Sequence, residues 1–121
     1  TDVSFISLKL ILPNVKTLLE DNGEIVALVK PQFEAGREKV GKKGIISDAK
    51  IHNDVLVDIC NFCNKVGLYV HDINYSPIKG NNGNIEFLLY MTKDKTNNNP
   101  NIPKTAYNIV AEAHKDLLMP K

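Results

Sequence analysis

The sequence holds only two cysteines, Cys60 and Cys63, among 121 residues. Two thiols cannot make a disulfide framework, so the expectation is a reducing, cytoplasmic setting. An excess of one charge is also missing: fifteen Lys and Arg face fourteen Asp and Glu, a formal +1. That excludes a global basic field, and any nucleic-acid footprint must be local. Apolar runs fall far short of the ~20 residues that span a bilayer, which excludes a transmembrane helix. The first residues do not read as a charged-then-apolar leader. Aromatics reach only 7%, and 43% hydrophobic with 24% charged residues is the balance of an ordinary soluble globular domain. At this length folding buries roughly two-thirds of the unfolded surface, enough for one core. The chain opens Thr1-Asp2-Val3 without an initiator methionine, so a piece of a longer protein is expected.

Three segments read as strands: residues 24–30 (EIVALVK), 67–74 (GLYVHDIN) and 85–91 (IEFLLYM). The first is nearly continuous apolar, the pattern of a strand covered on both faces. Between the first two, Ile51, Val55, Ile59, Phe62 and Val66 recur at helical spacing and make one apolar stripe. Asp48 or Ser47 is its natural N-cap, and Gly67 stands where a C′ glycine belongs. Leu12, Val15 and Leu18/Leu19 predict a shorter helix before the first strand, with Pro13 in its first turn and Gly23 ending it. Helix, strand, helix, strand is α/β wiring with parallel strands. Residues 75–84 carry Pro77, Gly80 and Gly83 and have no helical period. Parallel neighbours need a longer, usually helical crossover, so the last strand should run antiparallel. Residues 1–93 thus read as one unit, 94–103 as an Asn-rich linker, and 104–121 as a terminal helix marked by Ala106, Ile109/Val110, Ala113 and Leu117.

This wiring places charges. Lys30 closes a parallel strand at its carboxyl end, Glu86 opens an antiparallel one, and Asp2 sits where a preceding strand would end. All three fall on the edge where open α/β sheets bind ligands. Two readings stay open: a convergent site, or charges at strand ends that are simply solvated.

Residues 31–47 form a connection without apparent structure and hold four basic residues, Arg37, Lys39, Lys42 and Lys43, to one acid between Gly36 and Gly44. Gly36, Gly41 and Lys42 fit GxxxxGK, but Lys43 stands where a phosphate-binding loop needs a hydroxyl for magnesium. The loop either lies along RNA phosphates or is only a surface loop. Cys60 and Cys63 make a CxxC near the end of a helix, where the dipole does not lower a thiol pKa, so buried free cysteines are expected. His52, His71 and His114 show no paired spacing for zinc and read as ordinary surface or core residues.

The segments Asp2-Val-Ser-Phe-Ile-Ser-Leu, Leu28-Val-Lys-Pro-Gln-Phe-Glu-Ala-Gly-Arg, Ser76-Pro-Ile-Lys-Gly and Gly83-Asn-Ile-Glu-Phe-Leu together resemble the haemolysin A (TlyA) family of FtsJ-like ribosomal RNA 2′-O-methyltransferases. The likeness runs in order from Asp2 to about Met91. It implies the C-terminal half of a Rossmann-like, S-adenosylmethionine-dependent methyltransferase sheet with an antiparallel last strand. It also implies a Lys-Asp-Lys-Glu catalytic set, of which Asp2, Lys30 and Glu86 match three positions. The first Lys has no counterpart, and neither do the glycine-rich cofactor loop, the ribose-binding acid or the family's N-terminal RNA-binding domain. Asp2 is the one cofactor contact that remains.

The chemistry suits these residues. A ribose 2′-hydroxyl is a poor nucleophile until its proton is removed or polarised, and a lysine amine accepts a proton only where part of it is neutral. Lys30 would be such a base or would stabilise the developing alkoxide, with Asp2 and Glu86 orienting ammonium groups and hydroxyl. The expectation is part of a ribosomal RNA or ribosomal-subunit methyltransferase, inactive alone, that self-associates through an open sheet edge. The rivals are a non-catalytic RNA-binding module and a membrane-lytic protein. The second is disfavoured by Asp54 and Asp58 on the polar side of the best amphipathic stripe.

Overall fold

The structure, a computed structural model, describes residues 7–35, 45–79 and 83–117. Its first helix, α1 (Leu8–Leu18), is capped by Ser7, whose hydroxyl accepts from the Lys9 N–H. It starts earlier than the apolar spacing suggests, so Pro13 lies inside the helix rather than in its first turn. The early start comes from distant partners. The Glu34 carboxylate accepts from the Ser7 hydroxyl at 2.6 Å and from the Leu8 N–H at 2.8 Å, satisfying a donor that a helix start leaves orphaned. Leu8 and Leu12 enter the core. Gly23 does not end this helix. The extended Leu19 does, and the Lys93 ammonium donates to its carbonyl. Gly23 instead lies so close to Leu19 that an added Cβ would meet its Cδ1 at 2.5 Å.

Strands β1 (Glu24–Val29), β2 (Tyr69–Tyr75) and β3 (Phe87–Thr92) make one sheet in the order β1-β3-β2. Both neighbours run antiparallel to β3. So β1 and β2 point the same way and the last strand is inserted against them, as the short, non-helical connection before it requires. Burial along β1 alternates, with Ile25, Ala27 and Val29 inside and Glu24 and Val26 exposed. The expectation of a strand covered on both faces is therefore corrected: at Glu24 and Val26 the second face of β1 meets solvent.

Residues 31–47 are not wholly irregular. Pro31–Glu34 form a short helix, α2, with Lys30 at its N-cap and Pro31 at N1, where a missing N–H is no loss. Helix α3 (Ala49–Lys65) is capped by the Asp48 carboxylate on the Lys50 N–H at 2.8 Å. It ends at Gly67, whose φ of 82° closes a Schellman pair: Gly67 N–H to Asn64 O and Leu68 N–H to Cys63 O. Its buried face is His52, Val55, Leu56, Ile59, Cys60 and Cys63, while Ile51, Phe62 and Val66 are only half buried. The predicted stripe is thus turned toward Leu56 and Cys60, because α3 packs on the sheet and on the terminal helix together.

The Asn-rich stretch after β3 is ordered by its own side chains. Asp94 caps a 3-10 turn, Lys95–Asn97, and Asn99 accepts from the Asn101 N–H at 2.8 Å. The Asn99 N–H docks on the Val70 carbonyl at 3.0 Å. Helix α4 (Ile102–Leu117) therefore begins before residue 104, with Pro103 tolerated in its first turn. Ile102, Ala106, Val110 and Ala113 join the same core cluster as the sheet.

Candidate functional site

Val29 is the last β1 residue in the ladder and stands opposite Phe87, the first of β3. Lys30 and Glu86 are the next residue outward on each strand. The structure therefore brings these two predicted residues to one edge, at the carboxyl ends of β1 and β2. Lys30 is half buried and turns the chain from β1 into α2, its carbonyl accepting from the Phe33 N–H at 2.9 Å. Glu86 is 8% exposed, deep for a carboxylate, and its carbonyl accepts from the Ser76 N–H at 2.8 Å. Ser76 directly follows β2, so the ends of three strands meet here.

Asp2, Arg37, Lys39, Lys42 and Lys43 lie outside the described residues. Their flanks are described. Ser7, which follows the Asp2 segment, is held by Glu34 of α2, four residues past Lys30. The basic segment leaves from Ala35 at the end of α2 and returns at Ile46, whose N–H donates to the Asn84 side-chain oxygen at 2.9 Å. Asn84 is two residues ahead of Glu86. Both flanks of the basic segment are thus anchored near the Lys30–Glu86 edge.

Sequence reasoning missed four residues near this edge. Glu34 has no motif of its own; its role exists only because α2 packs beside the start of α1. Gln32 Oε1 is buried with no hydrogen-bond partner among the described residues, an arrangement that costs ~1–3 kcal/mol unless a donor comes from elsewhere. His52 and His114 are 62 positions apart, yet Nδ1 of the first lies 2.7 Å from Nε2 of the second. No linear spacing could signal that pair. Burial, then the charge on His114, pushes the His52 imidazole down to about 4. The cysteines behave as expected: both are free and buried, and burial raises both thiols to about 12. Among the described residues no cluster of three or more His, Cys, Asp or Glu could hold a metal, and no helix is long and apolar enough to cross a membrane.

The described residues do not form a cradle for S-adenosylmethionine. Close approach of backbone to such a cofactor needs glycines in a tight turn at this edge. Among the described residues the left-handed glycines are Gly67, at the other end of α3, and Gly83, where an added Cβ would meet nothing within 4 Å. What the edge offers is a half-buried ammonium, a buried carboxylate and an orphaned amide oxygen.

Comparison with known proteins bears on the fold and the family. The sequence model of the FtsJ-like methyltransferase family matches residues 1–93. The chain is 49% identical over 118 residues to YqxC of Bacillus subtilis, named as a candidate rRNA methyltransferase, covering 96% of this chain and 42% of that protein. It is 33% identical over 90 residues to the 16S/23S rRNA (cytidine-2′-O)-methyltransferase TlyA of Mycobacterium tuberculosis, covering 74% of this chain and 34% of that one. A solved structure described as a candidate hemolysin from Streptococcus thermophilus superposes with a TM-score of 0.88 at 48% identity, covering 95% of this chain and 41% of that one. The chain thus spans less than half the length of these relatives. With the family model matched over most of its length, and with the antiparallel last strand in place, the chain belongs to the FtsJ-like methyltransferase family.

Proposed function

We propose that this chain is the C-terminal part of the catalytic domain of an S-adenosylmethionine-dependent ribosomal RNA 2′-O-ribose methyltransferase. The observation that carries the reading is the Val29–Phe87 register, which sets Lys30 and Glu86 on one edge of the sheet. The roles are those the family resemblance implies. The Lys30 amine takes or polarises the 2′-hydroxyl proton, and the Glu86 carboxylate orients ammonium and hydroxyl. Asp2 completes the set. The basic residues Arg37, Lys39, Lys42 and Lys43 hold RNA phosphates on a segment anchored beside that edge. The cofactor pocket belongs to the portion the relatives carry beyond the length matched here, so the chain alone transfers no methyl group. Self-association through an open sheet edge is part of the same reading.

The test is methyl transfer from labelled S-adenosylmethionine to ribosomal RNA by a protein in which this chain is joined to that missing portion. Label recovered on a ribose 2′-oxygen supports the reading. RNA binding without transfer points instead to a non-catalytic RNA-binding module. The hemolysin name of some relatives calls for a liposome-leakage control, and exposed Asp54 and Asp58 on α3 argue that none will be seen.

A further inference from the structure

We propose that α4, which lies beyond the residues matched by the family model, braces the Glu86 edge through His114, His52 and Ile46, making His52 a positioning residue for Glu86. The proposal rests on the methyltransferase reading above. Its basis is a chain of hydrogen bonds with a defined direction. His52 Nε2 lies 2.9 Å from the Ile46 carbonyl, which can only accept, so that nitrogen carries the proton. Nδ1 of the neutral ring is then an acceptor, and His114 Nε2 at 2.7 Å must be its donor. From the other side of the same peptide residue, the Ile46 N–H reaches Asn84 Oδ1 at 2.9 Å.

The bridge ends where the site begins. Asn84 is 1% exposed, Ile46 2% and His52 0%, so water does not compete along the stretch from His52 to Asn84. The His52 ring also stands edge-on to Phe87, with centroids 5.5 Å apart. Residues 84 and 87 are therefore both held by groups that lead back to His52, and Glu86 lies between them. Two imidazoles in series are a costly way to fill a core that leucine would fill as well. They are suited to fixing one arrangement of α4, the end of the basic segment and the approach to β3.

The experiment compares His52→Leu, His52→Gln and His114→Ala in the methyltransferase joined as above. Gln keeps a donor toward the Ile46 carbonyl, whereas Leu fills the space without one. Expected are a fall of at least ~10-fold in kcat for His52→Leu and His114→Ala, with KM for RNA within about 2-fold, and recovery of most of kcat in His52→Gln. Loss of thermal stability with kcat unchanged in the folded variants overturns the proposal. Should His52→Leu not fold, His114→Ala, at a half-buried position, decides it alone.

Amide exchange in the 121-residue chain separates this idea from the methyltransferase reading. In His114→Ala the Ile46 and Glu86 amides should exchange at least ~10-fold faster, while Leu68 at the far end of α3 is unchanged. That pattern supports the brace even if the joined protein transfers no methyl group. Uniform or absent acceleration overturns it even if the protein is active.

Discussion

Val29 and Phe87 face each other across the β1–β3 ladder, and the consequence falls on their neighbours. Because β3 runs antiparallel, the residue after Val29 and the residue before Phe87 lie on the same edge. A parallel insertion of β3 would have sent Glu86 to the opposite end of the sheet from Lys30. The direction of one strand thus decides whether an ammonium and a carboxylate can share a site.

The first prediction concerns Lys30. In the joined methyltransferase, Lys30→Ala should lower methyl transfer at least ~100-fold, the scale of a lost proton-transfer group. Folding should barely change, because a half-buried side chain at a strand's end fills little core. Single-turnover transfer to ribosomal RNA, with a thermal melt alongside, checks both halves.

The basic segment gives a prediction in salt. If Arg37, Lys39, Lys42 and Lys43 contact phosphates, each neutralisation should reduce the log–log salt slope of RNA binding by about one. Sequence preference should hold, since phosphate contacts position and do not specify. An unchanged slope in the quadruple variant would leave the segment with no part in binding.

Cofactor affinity follows from the lack of a cradle among the described residues. A few polar contacts do not offset the cost of immobilising a ligand, so the chain alone should bind S-adenosylmethionine no more tightly than ~1 mM, about −4 kcal/mol. Titration calorimetry measures this directly. Micromolar binding would place the pocket within these residues.

Acid should destabilise the fold through His52. Its imidazole is pushed down to about 4, first by burial and then by His114. The folded value lies below the unfolded one of about 6.5, so between them the unfolded chain binds more protons. This contribution is fully present above about pH 6.5 and is lost as pH falls toward about 4, for a total of ~3 kcal/mol. His114, lowered mainly by desolvation, acts in the same direction. Urea titrations at about pH 7.5 and about pH 4.5 should show the loss, and His52→Gln should reduce it.

At the far end of α3, Gly67→Ala should cost about 1–2 kcal/mol, because a φ of 82° is unfavourable for any residue with a Cβ. The nearby Lys16 Nζ, 2.5 Å from the added atom, ends a flexible side chain and can move aside. Denaturant midpoints compare the variant with the parent chain.

Local patterns were legible in the residues themselves. The helical period of 51–66, the Asp48 cap and the Gly67 stop depend on neighbours within a few positions, and the structure has all three. The direction of β3 was legible too, because a short connection carrying Pro77 and two glycines cannot hold a helical crossover. Contacts between distant segments were not. Glu34 starts α1 earlier than its own apolar spacing indicates, since a cap supplied from 26 residues away leaves no local trace. The buried face of α3 turned toward Leu56 and Cys60 because a second helix packs on it, and composition does not say which helices meet. His52 and His114 read as ordinary residues in the sequence. They became one hydrogen-bonded unit only when α3 and α4 packed together and excluded water from the space between them.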